Sequence, residues 1–280
     1  MLVVVNPLAG AEGKTQSAWL AQQLQQKKWM ATWFYTTGNF VADRAAITQA
    51  ATMHKSVVVI GGDGTLHLVA NAIAELTNTL ALLPAGTGND FARQFTYSNE
   101  QWRAAVFSDQ VVSIDLGKIA ERWFVNVAGI GFNAHVMNNL GQKKRLGKLS
   151  YTCAGLMSLF TAKPIHYEMP EWPNTGMMLL LANGKHFGAG LTPAPMARLD
   201  DGRLELLWFT PGNHWQRVML FIKMIFKRHM NDRGLHHKRV SVLHIAQPGY
   251  DVEADGELIG QTPVTITCHR QVLNIKKAPL

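Results

Sequence analysis

The run Val57-Val58-Val59-Ile60 passes without a spacer into Gly61-Gly62-Asp63-Gly64-Thr65, and few folds accommodate that junction. Four β-branched residues favour a buried strand. The glycines permit a tight turn and close backbone approach. Leu66, Val69, Ala70, Ile73 and Leu76 then recur at helical spacing, with His67, Asn71 and Glu75 on another face. Amides at such a helix start can receive phosphate. Asp63 is the odd member, because a carboxylate beside phosphate requires a cation between them. A strand–helix turn with a polar cap and no ligand is the plain alternative, and the surrounding chain must discriminate.

Leu2-Val3-Val4-Val5 reads as a first strand, followed by the turn Asn6-Pro7-Leu8-Ala9-Gly10 and a helix to about Lys28. Ala31 to Tyr35 is a second strand, with Thr36-Thr37-Gly38 and a helix from about Val41 to Met53 behind it. Leu80-Ala81-Leu82-Leu83 is a fourth. Strand and helix alternating with short turns predict a parallel sheet covered by helices. Such sheets bind ligands outside the carboxyl ends of their strands. The turns at residues 6–10, 36–38, 61–65 and 85–90 are therefore expected on one edge. Gly13-Lys14-Thr15 looks like the end of a P-loop, but that motif needs glycine five positions earlier, where Leu8 stands. A closed phosphate-wrapping loop is excluded; a looser glycine turn remains.

Two more acids follow strands. Asp90 lies in Pro84-Ala85-Gly86-Thr87-Gly88-Asn89-Asp90-Phe91-Ala92-Arg93, ahead of another helical segment. Asp115 closes Val111-Val112-Ser113-Ile114-Asp115, with Leu116-Gly117 behind it. From about Trp123 the rhythm changes to short β-rich segments: 123–127, 177–182, 204–209, 240–245, 264–267 and 272–275. Strands spaced this way predict an antiparallel sandwich. Asp255-Gly256 between Val252 and Leu258 is a hairpin signal, and Asp200-Asp201-Gly202 reads as a turn.

A chain of 280 residues suggests one large domain or two modest ones. No apolar run approaches the roughly 18 residues of a membrane span, and the start lacks a basic leader and cleavage pattern. Cys153 and Cys268 form neither a metal-type pair nor a disulfide framework. These features predict a cytoplasmic protein. A net charge of +8 suits nucleic acid, an anionic membrane or phosphorylated ligands. No base-stacking or basic-helix module favours nucleic acid. His229, His236, His237 and His269 lack the spacing of a zinc site. The stretch Arg217 to His229 is apolar with basic punctuation. It reads either as a helix packed on the sandwich or as an interfacial element, extended by Lys238 and Arg239. A second basic run, Lys143-Lys144-Arg145 with Lys148, reads as solvated surface.

Together, Asn6-Pro7 with Gly10, Gly61 through Thr65, Gly86 through Arg93, and Asp115-Leu116-Gly117 resemble the diacylglycerol kinase catalytic family. The resemblance is closest to the soluble bacterial lipid kinases related to diacylglycerol and sphingosine kinases. It extends through Pro195 to Gly202 and Asp255-Gly256-Glu257, and so covers nearly the whole chain. NAD kinases and phosphofructokinases share the Gly-Gly-Asp-Gly turn but not the Gly-Thr-Gly-Asn-Asp segment or the late Asp-Gly-Glu. The family often carries Asn where His67 stands, which bears on one nucleotide contact.

The resemblance implies an α/β nucleotide-binding domain over residues 1–118 with a parallel sheet. An antiparallel β-sandwich lipid-substrate domain would follow over 119–280, its last strand returning toward the first domain, with an active site in the cleft. It implies ATP- and Mg2+-dependent phosphorylation of a lipid hydroxyl, on diacylglycerol or a related lipid, at a membrane surface. Asn6, Gly10, Thr36, Gly61, Gly62, Asp63, Gly64, Thr65, His67, Gly86, Thr87, Asn89 and Asp90 would meet the nucleotide. Asp63, Asp90 and Asp115 would hold magnesium on ATP, directly or through water. Asp201 with the carbonyls of Arg198 and Arg203 would form a structural magnesium site. Glu257 is favoured as the base over Asp255, while Asp63 has that role in the sphingosine branch. A catalytically silent nucleotide- or lipid-binding regulator and a kinase of the NAD-kinase type are the alternatives. Motifs do not choose the lipid or the oligomeric state.

Overall fold

The computed structural model describes residues 1–132, 163–168 and 171–279. The first half runs β1 (Leu2–Val5), α1 (Gly10–Lys27), β2 (Thr32–Tyr35), α2 (Phe40–Ala51), β3 (Ser56–Gly61), α3 (Asp63–Ile73), β4 (Thr79–Pro84), α4 (Asn99–Phe107) and β5 (Val111–Ile119). Then come β6 (Arg122–Phe124), β7 (Val127–Gly131), β8 (Ile165–His166), β9 (Thr175–Gly176), β10 (Met178–Ala182) and β11 (Leu204–Phe209). The chain ends with α5 (His214–Ile225), β12 (Leu235–Val240), β13 (Val242–Ile245), β14 (Asp251–Ala254), β15 (Glu257–Gln261) and β16 (Val264–Lys276). It divides into two compact units: Met1–Leu116 with Arg270–Leu280, and Gly117–His269.

In the first unit the strands lie in the order β2-β1-β3-β4-β16-β5. The first four pair in parallel, with Val5 opposite both Tyr35 and Ile60, and Gly61 opposite Pro84. β1 is buried throughout, as are Val57–Gly61 of β3 and Leu80–Pro84 of β4. That is how unbroken runs of Val, Ile and Leu behave when helices cover both faces of a sheet. α3 is buried all round from Thr65 to Ile73, and the Thr48 hydroxyl of α2 donates to its Ala72 carbonyl at 2.9 Å. The order 2-1-3-4 reverses between β1 and β3, and sheets of this kind bind ligands outside the carboxyl ends of their strands at such a switch point.

The second unit holds an antiparallel sheet, β12-β11-β10-β7-β14-β15. The ends of β5 and β16 belong to this unit too, where they pair with β6 and β13. Alternation along β10 and β11 sends side chains to opposite faces. Leu179, Leu181, Leu206 and Trp208 meet Phe124, Leu243, Ile245 and Ile266 in the sandwich interior. Met178, Leu180, Leu207 and Phe209 point the other way, where Leu220 and Met224 of α5 cover them.

Several expectations change. The strand expected over 123–127 breaks into β6 and β7, because the amides of Val125, Asn126 and Val127 are drawn onto the Asp255 carboxylate. The segment over 240–245 is two strands parting at Ser241, one in each pairing. The segments over 264–267 and 272–275 are one strand of 13 residues, interrupted only by a left-handed Gln271 (φ 53°). The helical pattern after Arg93 opens as a 3-10 turn, Ala92–Gln94, and α4 begins at Asn99 behind a Ser98–Gln101 capping box. The expected Asp-Gly hairpin is present between β14 and β15, with both turn residues at positive φ (48° and 86°). The basic run at Lys143–Lys148 lies outside the described residues, as does Cys153. Among the described residues no helix is long and apolar enough to cross a membrane.

Candidate active site

The four polar turns gather as expected. Asn6–Gly10 follows β1, Thr36–Gly38 follows β2, Gly61–Thr65 follows β3 and Ala85–Asp90 follows β4, and parallel strands put all their carboxyl ends on one edge. Two of these turns touch backbone to backbone. A Cβ on Gly86 would stand 2.4 Å from the Gly62 Cα, and one on Gly62 would stand 2.8 Å from the Gly86 Cα. Neither position admits a side chain. The chain thereby brings two glycine-rich loops with small side chains side by side at the carboxyl edge of the sheet.

Individual bonds fix the loops. The Ala85 amide donates to the Gly61 carbonyl at 2.8 Å, and the Phe91 amide donates to Asp63 Oδ1 at 3.1 Å. Asp63, at the start of α3, therefore also ties the β3 turn to the β4 turn. Asn89 clamps its own loop: its Oδ1 accepts from the Gly86 amide and its Nδ2 donates to the Gly86 carbonyl, both at 2.9 Å. Asn6 Oδ1 accepts from the Leu8 amide at 2.9 Å, setting the first turn. Thr36 continues β2 by donating its amide to the Val5 carbonyl, and the turn behind it is built on buried Asp43. That carboxylate accepts from the Thr37 amide and hydroxyl and the Gly38 amide at 2.8–3.1 Å. Asp43 carries no motif. Its place in the first turn of α2, six residues after Thr37, was the available signal.

Gly64 and Thr87 are exposed on this edge, and Thr65 is buried. A cavity of about 330 Å3 opens beside Gly88 and Asn89, lined also by Glu12, Pro84, Arg93 and Tyr97. That volume is at the lower end of small-molecule sites. His67 is buried in α3, with its ring 5.6 Å from Phe40. Asp90 is buried, with Arg93 Nε 3.9 Å away. Asp115 is fully buried, and its Oδ1 accepts from the Gln271 amide at 2.9 Å.

Among the described residues no group of three His, Cys, Asp or Glu side chains gathers in a way that could hold a metal. Magnesium on a nucleotide needs only one or two carboxylates, with phosphates and water completing its shell. Asp63, half-buried at a phosphate-ready helix start, fits that limited part. The Asp201 loop is different. One oxygen of its carboxylate accepts from the Arg203 amide at 3.0 Å and the other meets the Arg239 guanidinium, which also lies 3.5 Å from buried Glu205. A cation there would compete with an arginine already in place.

In the second unit Asp255 caps the hairpin turn. Its oxygens accept from the amides of Val125 at 2.6 Å, Asn126 at 2.9 Å and Val127 at 3.1 Å. Asn183 braces the Val125–Val127 segment, its Nδ2 donating to the Val125 carbonyl at 2.8 Å. Buried Glu253 accepts from the Gly256 amide. Glu257, the first residue of β15, is exposed. Of the histidines, His229 is buried against the Pro193 carbonyl, His237 pairs with Glu205 and His269 packs edge-on to Trp123.

Residues 1–119 match the diacylglycerol kinase catalytic domain, and residues 126–277 match the YegS C-terminal NAD kinase beta sandwich-like domain. A diacylglycerol kinase of Bacillus subtilis is 27% identical over 276 residues, covering 93% of this chain and 90% of that protein. A diacylglycerol kinase of Mycobacterium tuberculosis is 30% identical, covering 79% and 76%. A Pseudomonas aeruginosa protein named "probable lipid kinase YegS-like" is 37% identical over 165 residues, covering 56% and 55%. A diacylglycerol kinase structure from Bacillus anthracis shares the fold, with a TM-score of 0.75 at 24% identity over 99% of this chain and 96% of that one. The chain thus belongs to the diacylglycerol kinase catalytic family, in its YegS-like group of lipid kinases.

Proposed function

We propose that the chain is an ATP- and Mg2+-dependent kinase that transfers the γ-phosphoryl group to the hydroxyl of diacylglycerol or a related lipid, working in the cytoplasm at a membrane surface. The observation that carries this reading is the Gly62–Gly86 contact. It sets two glycine-rich turns side by side at the carboxyl edge of the sheet, with Asp63 between them.

On this reading those amides of the Gly61–Thr65 and Gly86–Asn89 turns that the loops do not themselves bind hold phosphate, with Asn6, Gly10, Thr36 and the Thr65 and Thr87 hydroxyls around the nucleotide. Asn89, Asp43 and Asn6 act by fixing the loops. Asp63 would hold magnesium, which neutralises charge on the phosphates as it builds, with Asp90 and Asp115 supporting that edge from buried positions. The acceptor oxygen forms its bond to the γ-phosphorus, the bond from that phosphorus to the ADP oxygen breaks, and the hydroxyl proton passes to Glu257. Such transfers depend on positioning and electrostatics more than on covalent help from the protein. No step is assigned to a metal at Asp201.

The test uses labelled ATP with a total lipid extract, with diacylglycerol and with NAD as separate acceptors. Labelled product from a lipid, lost in Asp63→Ala although that variant still melts cooperatively, is the expected result. Full activity in that variant, or label in NAD alone, would reject the reading.

A further inference from the structure

α5 has two apolar faces where folding needs one. Its inner face places Leu220 and Met224 in the core under β10 and β11. At 100° per residue, Trp215, Met219, Ile222 and Phe226 fall within about 60° of arc on the opposite side. They are 72%, 36%, 38% and 68% exposed, and Ile225 beside them is 51% exposed. Single exposed apolar residues need no explanation, but a contiguous stripe of this length does. The helix is not frayed into this state, because Asn213 and Gln216 cap it reciprocally.

The charge carried by the helix and the chain beside it is mainly positive. From Leu206 to Asn231 the chain contains no Asp or Glu, but carries Arg217, Lys223, Lys227 and Arg228. Lys223 is engaged by Asp232 at 2.5 Å. Lys227 and Arg228 are exposed directly after Phe226. An aromatic and aliphatic stripe on a helix of 12 residues, bordered by cations and free of acids, has the chemistry of an element lying in the headgroup region of an anionic bilayer. A second copy of the chain would bring the same cations against themselves.

We propose that the outer face of α5, formed by Trp215, Met219, Ile222 and Phe226 with Lys227 and Arg228 behind them, docks the protein on an anionic phospholipid bilayer. Choosing a bilayer over an acidic protein rests in part on the lipid-kinase reading above. Binding itself can be read without turnover.

The full chain is floated with vesicles of phosphatidylcholine alone and of phosphatidylcholine with phosphatidylglycerol, at low and high salt. Binding to the anionic vesicles that weakens with salt is expected. Lys227→Gln with Arg228→Gln should cost about fivefold in affinity per charge on anionic vesicles. Trp215→Ser with Phe226→Ser should abolish flotation on both kinds at an unchanged melting temperature. All variants should keep wild-type turnover on diacylglycerol dispersed in detergent. A wild-type chain that stays unbound, or binding that both double variants leave unchanged, overturns the proposal. So does a dimer that Trp215→Ser with Phe226→Ser dissociates while vesicles are ignored. Vesicle binding without lipid phosphorylation would uphold the docking face and reject the kinase reading; turnover in detergent without vesicle binding would do the reverse.

Discussion

Asp255 and Glu257 are two carboxylates two residues apart, and their chemistry alone does not divide the work between them. Their surroundings do. Asp255 accepts three backbone amides from Val125–Val127 and occupies a turn position at positive φ, whereas Glu257 is exposed at the head of β15. Asp255→Asn would turn an N–H against an N–H, and an unsatisfied buried group costs about 1–3 kcal/mol. A clear fall in melting temperature is expected, with activity falling as a consequence. Glu257→Gln should leave the melting temperature in place and lower turnover by about 10²-fold or more, the usual scale of proton-transfer catalysis. Thermal denaturation and turnover on the same samples separate the two roles. An Asp255→Asn protein that melts like wild type would show that Asp255 is not an anchor. The sequence made Asp63 and the glycines visible because their spacing forms a motif. Asp43, Asn183 and Glu253 were silent, since each is a lone polar residue whose importance lies in the amides or carbonyls it meets.

Elements were legible where one physical signal dominated. Apolar runs gave β1, β3, β4 and β11 nearly to the residue, and the Asp-Gly pair gave the β14–β15 turn. β12 was seen only at its end, because His236, His237, Lys238 and Arg239 carry polar tips on a strand held by its pairing with β11. One of these residues makes β12 sensitive to acid. Burial lowers the pKa of His236, whose ring stacks on Trp172 at 5.5 Å and lies 3.0 Å from the Thr210 hydroxyl. The unfolded chain takes up this proton near its ordinary value of about 6.5, and the folded chain only at lower pH. Between those values the unfolded state binds more protons, so stability is full above about pH 6.5 and declines as pH falls toward the folded value. Melting temperature should therefore drop from pH 7.5 to 5.5, and drop less in His236→Phe, which keeps an aromatic ring against Trp172. An equal drop in both proteins would show that another group titrates there.

At the scale of the molecule, the chain enters and leaves its second unit through two strands, β5 at Leu116–Gly117 and β16 at His269–Arg270. The strand β16 thus has residues in both units. Its last residues are the strand between β4 and β5 of the first unit. Asn274 and Ile275 pair in parallel with Thr79 and Leu80, the Ser113 hydroxyl donates to Asn274 at 2.7 Å, and the Lys277 amide donates to the Gln110 carbonyl at 2.9 Å. The Gln271 amide is also the partner of fully buried Asp115. A chain stopped at residue 118 would contain every nucleotide-side motif and still lack an interior strand. It would expose an open edge on β4 and leave the Asp115 carboxylate without that amide, and open edges invite association. We expect such a chain to aggregate or to melt without a cooperative transition. Joining residues 270–279 to it through a flexible linker should restore cooperative melting, because the missing strand returns without the second unit. Circular dichroism melts and size-exclusion profiles of the two proteins decide the matter. If the chain ending at 118 melts cooperatively as a monomer, the strand supplied by β16 is dispensable, and the first unit is an ordinary contiguous domain.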